Sequence, residues 1–597
     1  MVSTRVPDLV PNLAGVTGRG KLVGLLPDRP ERPTLGPAGP LALAALVFVV
    51  LFWRLGAPTF WDPDEAHYAE TTRELIVTGD WWAPYYNEQP FFDKPIFFHQ
   101  LQAAAMLVAG PNELGARLVP ALAALALVLF TGWLGARLIS AEAGLVAALL
   151  LAINPGLFAL ARYAILDTLF TALLFGGVGL IAVAALGSGF PGLSVSEGSR
   201  IRSHTWLQWP GYVLIAGAVM TKGPLAFVLC GLAMGLAMAM SADLRRRLLG
   251  LHWIAGVGIA VAISAPWFVY MYLRFRADFL AGYLFDENIR LFATDRFGDQ
   301  PPFWFYFQIL ATGMLPWTGI MIGRLVDDVA WRKRDHVEIL LWAWAIAIVG
   351  FFTFSRFKLD HYVFPAAPAL CLLIARAWSD LRAFPDSPEN RGARVGLRLV
   401  GPLLVLLGGA AAYFLLAQLD LPAAALAVPA LVVAAGVIIS VRVTMRHDPL
   451  PAVPWIALTA VAAIYAGVLL FVIPALEKQK VIPEIAAWVA SRAEPETQVA
   501  TYQLNRWNTA FRFYVDRHVT MLVDVEEIVD LVNVQGSRPF YCVMLGEGYD
   551  ELVARGVPVK EVFAREGMWA TSGRALWRKA VPATRFVVVT SIDGTAR

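Results

Sequence analysis

Between Trp61 and Glu70 the chain reads Trp61-Asp62-Pro63-Asp64-Glu65-Ala66-His67-Tyr68-Ala69-Glu70, four acids and a histidine in ten residues. The stretch begins just after a very apolar segment, Leu41 to Ala57. A carboxylate there can remove the proton from an acceptor hydroxyl as its oxygen becomes a nucleophile, or can face a metal ion. Asp62, Asp64 and Glu65 are the candidates. The competing reading is structural: Asp64 caps a helix over Glu65–Val77, where acids in the first turn are favoured.

Further charged groups punctuate apolar sequence. Lys94, in Phe92-Asp93-Lys94-Pro95, either snorkels to lipid headgroups or, beside an acidic catalytic loop, binds a phosphate leaving group. Asp167, after Arg162-Tyr163-Ala164-Ile165-Leu166, either caps the helix it opens or orients the site and assists Asp64. Lys222, in Thr221-Lys222-Gly223-Pro224, sits in a tight turn and points at lipid or at the site. Phe285-Asp286-Glu287-Asn288-Ile289-Arg290 and Ser355-Arg356-Phe357-Lys358-Leu359-Asp360-His361-Tyr362 are charged boundary belts or anion-binding clusters. Arginine and lysine are the residues that hold phosphate.

The elements that position these groups are membrane helices. Of 597 residues, 58% are hydrophobic and only 16% charged, against roughly 25% charged in soluble domains. The deficit runs through most of the length, which implies a polytopic, mainly α membrane protein. Apolar candidates follow the first helix at 95–110, 115–136, 141–161, 167–187, 208–222, 224–240, 252–273, 303–322, 337–354, 361–378, 398–418, 421–441 and 453–474. Clustered basic residues mark cytoplasmic loops. The clusters at Arg200/Arg202, Arg245–Arg247, Arg332–Arg334, Arg391/Arg394/Arg398 and Arg442/Arg446 share one face with the basic N-terminal tail only if 95–110 does not span. That segment is short, starts at Pro95 and carries His99, Gln100 and Gln102, as an interfacial helix would. The expectation is thirteen spanning helices, a cytoplasmic N-terminus and an extracytoplasmic C-terminal domain. Residues 1–38 read as a disordered cytosolic tail, 39–475 as the membrane domain with a catalytic loop at 58–114, and 476–597 as a small α/β domain. In that last part, Ile482–Arg492, Glu526–Val532 and Tyr549–Arg555 read as helices, and Gln498–Tyr502, Phe511–Val515, Phe540–Leu545 and Phe586–Val589 as strands. This topology gathers every chemistry-bearing loop on the outer face.

Three cysteines show no pairing or zinc spacing, so neither a disulfide framework nor a cysteine metal site is expected. No Gly-rich phosphate loop, dinucleotide fingerprint or HExxH motif is present, which argues against a nucleotide-dependent enzyme. An activated donor used outside the cytoplasm then arrives on a lipid. Most of the twenty tryptophans read as interfacial anchors.

Several stretches together resemble the bacterial aminoarabinose transferases and, more distantly, protein O-mannosyltransferases, membrane glycosyltransferases of the GT-C fold. They are Asp64-Glu65-Ala66-His67-Tyr68-Ala69-Glu70, Thr78-Gly79-Asp80-Trp81, Asp93-Lys94-Pro95, Asn112-Glu113 through Ala116-Arg117-Leu118, Leu166-Asp167, Thr221-Lys222-Gly223-Pro224, Ala265-Pro266-Trp267 and Ser355 through Tyr362. The likeness runs in order from about residue 45 to 380. It implies transfer of a sugar from a polyprenyl (undecaprenyl or decaprenyl) phosphate to a lipid or glycan acceptor at the outer face of the cytoplasmic (inner) membrane, with inversion. It also implies Asp64 as catalytic carboxylate, Asp167 as a second site carboxylate, and Lys94 and Tyr362 on the donor phosphate with Arg290 or Lys358 assisting. Lys222 and Glu65 join this set, with His67, Arg356, His361 and Glu287 shaping the acceptor side. No cofactor is required, although a divalent metal between Asp64 and Asp167 is compatible with the pattern. Nucleic acid is not an expected partner. Relatives that modify lipid A usually carry arginine where this chain has His67, and their histidine motif after the acid at Glu287 is replaced by Asn288. These departures tell against lipid A and aminoarabinose and leave the reaction class standing.

Two other readings stay open. A protein O-mannosyltransferase, or a transferase acting on a cell-wall glycan, uses the same donor chemistry on another acceptor. A non-enzymatic lipid or glycan transporter places polar residues at mid-membrane and often shows repeated halves, whereas here they gather at one face and no repeat is visible.

Overall fold

The computed structural model describes residues 38–187, 204–294, 301–330, 334–418, 422–444, 453–504, 509–535, 540–567 and 583–591. The expected tail 1–38, except its last residue, and the basic residues Arg200, Arg202, Arg332, Lys333 and Arg446 lie outside the described residues.

The chain is a multi-pass membrane protein. Among the described residues eight helices are long and apolar enough to cross a membrane, or ten if each of two bent pairs is one span. One pair, Ala141–Ala152 and Pro155–Ala161, bends by 60°. Asn154 causes the break: its side chain accepts the Leu157 N–H at 3.2 Å and Pro155 restarts the helix, the arrangement expected of an N-cap followed by proline. The expected spans at 41–57, 208–222 and 224–240 form the shorter helices Leu43–Phe52, Gln208–Lys222 and Leu225–Met240.

Segment 95–110 folds as the helix Phe97–Ala109. Thirteen residues rise about 20 Å, short of a bilayer core of about 30 Å. Its polar side chains turn into the protein. Thr72 Oγ1 lies 2.8 Å from His99 Nδ1 and donates to Gln102 Oε1 at 2.5 Å, and Gln102 Nε2 donates to the Ala116 carbonyl at 2.8 Å. These bonds fix Phe97–Ala109 between the helices Asp64–Thr78 and Glu113–Leu138.

After Glu477 the fold changes to α/β. Strands β3 (Gln498–Tyr502), β4 (Thr520–Leu522), β5 (Phe540–Leu545), β6 (Val559–Gly567) and β7 (Thr584–Ser591) form a sheet of order β4-β3-β5-β7-β6; β1 (Tyr85–Tyr86) and β2 (Gln89–Pro90) form a small hairpin in the 79–96 loop. β3 runs parallel to β4 and β5, and β7 antiparallel to β5 and β6. Helices Ile482–Ala490, Val525–Gln535 and Gly546–Ala554 cover it. The pattern at Phe511–Val515 reads as a strand, but Thr509–Val515 is a helix. Tertiary contacts override its β-prone composition: Asp62 Oδ1 accepts the Ala510 N–H at 2.7 Å, and Arg512 reaches Glu70 and Glu74.

Candidate active site

The acidic stretch divides into carboxylates that hold the fold and one that does not. Glu65 is fully buried and takes a bidentate Arg117, Nε to Oε1 at 2.6 Å and Nη2 to Oε2 at 2.9 Å. It also accepts the Trp61 and Ala164 N–H groups at 3.0 Å. Every lone pair is used, so Glu65 ties the loop to the helix Glu113–Leu138 and to the turn before Asp167; this corrects the expectation of a catalytic Glu65. Glu70 is bound by Arg73 and Arg512, and Glu74 by Arg512 and the Asn87 and Glu88 N–H groups. Asp62 receives the Thr509 hydroxyl and the Ala510 N–H, and burial pushes its carboxyl up to about 7 against the help of those bonds.

Asp64 is the exception. It is the first residue of the helix Asp64–Thr78 but makes no capping bond, since Pro63 occupies the cap position. Among the described residues it has no hydrogen bond or ion pair, and its surface opens to solvent. Protein surrounding the remaining sides, with Asp93 and Asp167 nearby, raises its pKa, while His361 and Lys94 oppose the rise. A carboxylate with a raised pKa and an open side is suited to accept a proton.

Asp167 also opens a helix, Asp167–Leu186, without capping it. Its Oδ1 takes Lys222 Nζ at 2.5 Å, and His361 Nε2 lies 3.7 Å from Oδ2. Lys222 ends the helix Gln208–Lys222 and sits 4.8 Å from the Tyr362 ring centroid and 5.5 Å from that of Phe170. The turn after it needs glycine: Gly223 has φ +83°, and a Cβ there would fall 2.1 Å from the Tyr283 hydroxyl. His361 is held by Asp360 through Nδ1 at 3.2 Å.

Lys94 Nζ lies 2.5 Å from Asp93 Oδ1 and 3.9 Å from Glu287 Oε2. Burial alone would lower the Lys94 ammonium, but these carboxylates outweigh it and hold it above the ordinary lysine value. Burial would likewise raise Asp93, but Lys94 and a hydrogen bond from Glu287 hold it near 2. Glu287 arrives through a break in the long helix from Trp253, which kinks at Arg276 (φ 52°) and continues as Leu280–Arg290. Phe92 against Phe275 and Phe279, and Trp267 Nε1 on the Trp82 carbonyl at 2.9 Å, lock the 79–96 loop to that helix.

Of the residues singled out in the sequence, Asp64, Lys94, Asp167, Lys222, Glu287, His361 and Tyr362 thus come together as one electrostatically linked cluster. Arg290 turns to solvent and pairs with Asp286 at 2.6 Å. Lys358 donates to the Ser355 carbonyl at 2.7 Å, and Arg356 has an exposed side chain and an N–H bonded to the Phe292 carbonyl at 2.9 Å. His67 packs on Tyr86 and Phe91, with ring centroids 4.2 and 4.5 Å apart. Two members went unnoticed. Asp93 is the direct partner of Lys94. Tyr68 lies one turn after Asp64 on the same helix face, within electrostatic reach of Asp64, Asp93 and Asp167; the i, i+4 spacing was the available signal.

A family model for dolichyl-phosphate-mannose-protein mannosyltransferases matches residues 41–281. Over nine-tenths of its length (93%) the chain superposes on 98% of the crystal structure of ArnT from Cupriavidus metallidurans bound to undecaprenyl phosphate, with a TM-score of 0.71 and 22% identity. The chain has the GT-C fold of the aminoarabinose transferases. It is 30% identical over 387 residues to the undecaprenyl phosphate-α-4-amino-4-deoxy-L-arabinose arabinosyl transferase of Edwardsiella ictaluri, covering 63% of this chain and 65% of that protein. It is 31% identical over 388 residues to a second such enzyme, from Pseudomonas fluorescens, covering 64% of this chain and 62% of that protein. The chain therefore spans somewhat less than two thirds of the length of these relatives. Asp64, Lys94, Asp167 and Lys222 fall within the residues that the family model matches, and Glu287, His361 and Tyr362 lie beyond them.

Proposed function

We propose that the chain is a glycosyltransferase that moves a sugar from a polyprenyl-phosphate donor to an acceptor hydroxyl or phosphate at the outer face of the cytoplasmic membrane. The observation that carries this reading is Asp64: an open, unpartnered carboxylate with raised pKa, set against Lys94, the Lys222–Asp167 pair and His361. Asp64 takes the proton of the acceptor O–H as that oxygen bonds to the anomeric carbon. The bond from that carbon to the phosphate oxygen breaks on the opposite side, with inversion. The polyprenyl phosphate leaves as an anion held by Lys94 and Lys222, which exchange their present carboxylate partners for it. The curated relatives are named for undecaprenyl phosphate-linked aminoarabinose, which supports an undecaprenyl donor here. The acceptor is an envelope lipid such as lipid A or another glycan. The match of residues 41–281 to protein mannosyltransferases supports a protein hydroxyl as the second reading.

Thirteen spanning helices with a cytoplasmic N-terminus complete the proposal. The C-terminal domain docks directly on the helix that starts at Asp64, so domain and site share one side of the membrane. The proposed chemistry requires no divalent ion and is compatible with one between Asp64 and Asp167.

The test is a panel of radiolabelled undecaprenyl-phosphate sugars, aminoarabinose and mannose included, offered with lipid A, glycan and serine- or threonine-containing peptide acceptors. Wild-type chain transfers from one donor, and Asp64→Asn inserts normally while losing about 10²-fold or more of the rate, the usual worth of a general base. Near-wild-type transfer by that variant overturns the assignment. Transfer abolished by EDTA and restored by Mg²⁺ or Mn²⁺ would put an ion between Asp64 and Asp167 instead.

A further inference from the structure

Asp64 has no side-chain partner, so its position depends on the backbone that carries it, and the C-terminal domain holds that backbone through, among other contacts, Asp62, Pro63, Glu70 and Glu74. Asp62 Oδ1, two residues earlier, accepts the Ala510 N–H at 2.7 Å. The Thr509 hydroxyl is shared between Asp62 Oδ1 at 3.0 Å and the Pro63 carbonyl at 2.7 Å, so one threonine grips both residues before Asp64. Two and three turns further along, Arg512 spans Glu70 (Nε to Oε1, 3.0 Å) and Glu74 (Nη2 to Oε1, 3.2 Å). Thr509, Glu70, Glu74 and Arg512 are each at most 5% exposed, so water does not substitute for these contacts. Glu70 and Glu74 stand on one helix face, and a cation across both fixes the roll of the helix as well as its height.

We propose that Thr509 and Arg512 are positioning residues for transfer: through Asp62–Pro63 and Glu70/Glu74 they set the first turn of the helix Asp64–Thr78, and so aim the Asp64 carboxylate at the acceptor oxygen. The inference rests on the reading of Asp64 as the general base. It makes the soluble domain part of the reaction machinery without supplying a group that touches substrate. A misplacement of about 1 Å at a reacting group costs on the order of 10²-fold in rate, so loosening this grip lowers kcat while leaving the phosphate-binding lysines in place.

The experiment uses the full chain in nanodiscs, with Thr509→Val (isosteric, unable to donate), Arg512→Met and Arg512→Lys. Active molecules are counted by stoichiometric binding of radiolabelled undecaprenyl phosphate, and transfer is measured with the donor that the wild type consumes. Thr509→Val and Arg512→Met are expected to lose about 10- to 100-fold in kcat per binding-competent molecule, with donor KM within about twofold, and Arg512→Lys to recover part of the loss. Hydrogen exchange at residues 64–68 accelerates in the two impaired variants, while β3 and β5 stay protected. Unchanged kcat per binding-competent molecule, or unchanged exchange at 64–68, overturns the inference. So does loss of undecaprenyl phosphate binding in both variants, because the domain would then serve only stability. An Asp64→Asn variant that still transfers defeats the general-base reading itself; an inactive Asp64→Asn beside fully active Thr509→Val and Arg512→Met defeats only this one.

Discussion

Glu65→Gln separates the two kinds of carboxylate in the acidic stretch. Glu65 Oε1 accepts Arg117 Nε and the Ala164 N–H, and Oε2 accepts Arg117 Nη2 and the Trp61 N–H. A glutamine amide offers one oxygen and one NH₂, so whichever way it turns, two donors face its nitrogen. Arg117, 1% exposed, also loses its counter-charge. Breaking a buried ion pair from one side costs about 3–5 kcal/mol. Arg117 keeps the carbonyls of Leu55 (3.0 Å), Pro58 (2.6 Å) and Thr59 (3.3 Å), which places the expected loss at the lower end, about 3 kcal/mol, or roughly 100-fold in the folding equilibrium. The assay is unfolding in mixed detergent–SDS micelles, followed by tryptophan fluorescence, with transfer measured on the folded fraction. Glu65→Gln is expected to unfold at lower SDS yet transfer normally while folded; Asp64→Asn shows the reverse. The double variant Glu65→Gln/Arg117→Gln loses less than the sum of the single losses, by about 0.5–3 kcal/mol, because each single change already breaks the pair. A Glu65→Gln protein as stable as wild type but inactive would make Glu65 a catalytic group and refute the assignment by burial.

Other expectations follow from the same geometry. Lys94→Met weakens undecaprenyl phosphate binding by about 10- to 150-fold, the equivalent of one charged hydrogen bond of about 1.5–3 kcal/mol; equilibrium binding to nanodiscs measures it, and unchanged affinity removes Lys94 from the phosphate site. The native state binds the Asp62 proton more tightly than the unfolded chain, about 7 against 3.8, so this group favours folding most at low pH and its contribution fades as pH rises through 7. The protection factors of amides 509–515, with the intrinsic pH dependence of exchange divided out, are accordingly higher at pH 5.5 than at pH 8, and Asp62→Asn flattens that difference.

The multi-pass membrane frame was legible because apolar length is a strong signal. Segment 95–110 illustrates this: its length, Pro95, His99 and Gln102 argued against a span, and the structure turns those polar groups inward onto Thr72 and Ala116. Lys94 and Asp167 stood out as charges at apolar boundaries, whereas Asp64 was picked from among three neighbouring acids by the family resemblance. Partnership was harder to read. Glu65 and Asp64 are adjacent and chemically alike, yet Arg117, 52 residues after Glu65, saturates one of them. Lys222 read equally well as a lipid anchor until Asp167, 55 residues earlier, claimed it. The helix Thr509–Val515 was misread because its sequence is β-prone and its stabilising partners, Asp62, Glu70 and Glu74, lie more than 400 residues away. Local pattern reports local preference; long-range hydrogen bonds decide the rest.

The stretch from Asp62 to Glu74 therefore does two jobs that depend on each other. Leaving buried carboxylates unpaired is costly, and every buried acid here has a partner: Asp62 with Thr509 and Ala510, Glu65 with Arg117, Glu70 and Glu74 with Arg512. Asp64 escapes that requirement because it faces an opening, and only such a group is free to take a proton. The same helix carries the position where the family resemblance leads one to expect arginine. His67 lies three residues after Asp64, one turn on, and rests against Tyr86 and Phe91 of the hairpin loop. An arginine there would carry a permanent charge beside the general base; histidine packed between rings offers a flatter, less charged wall. His67 also lies within electrostatic reach of Asp93, the partner of Lys94, so the exchange of residue type falls beside the cation proposed to hold the donor phosphate.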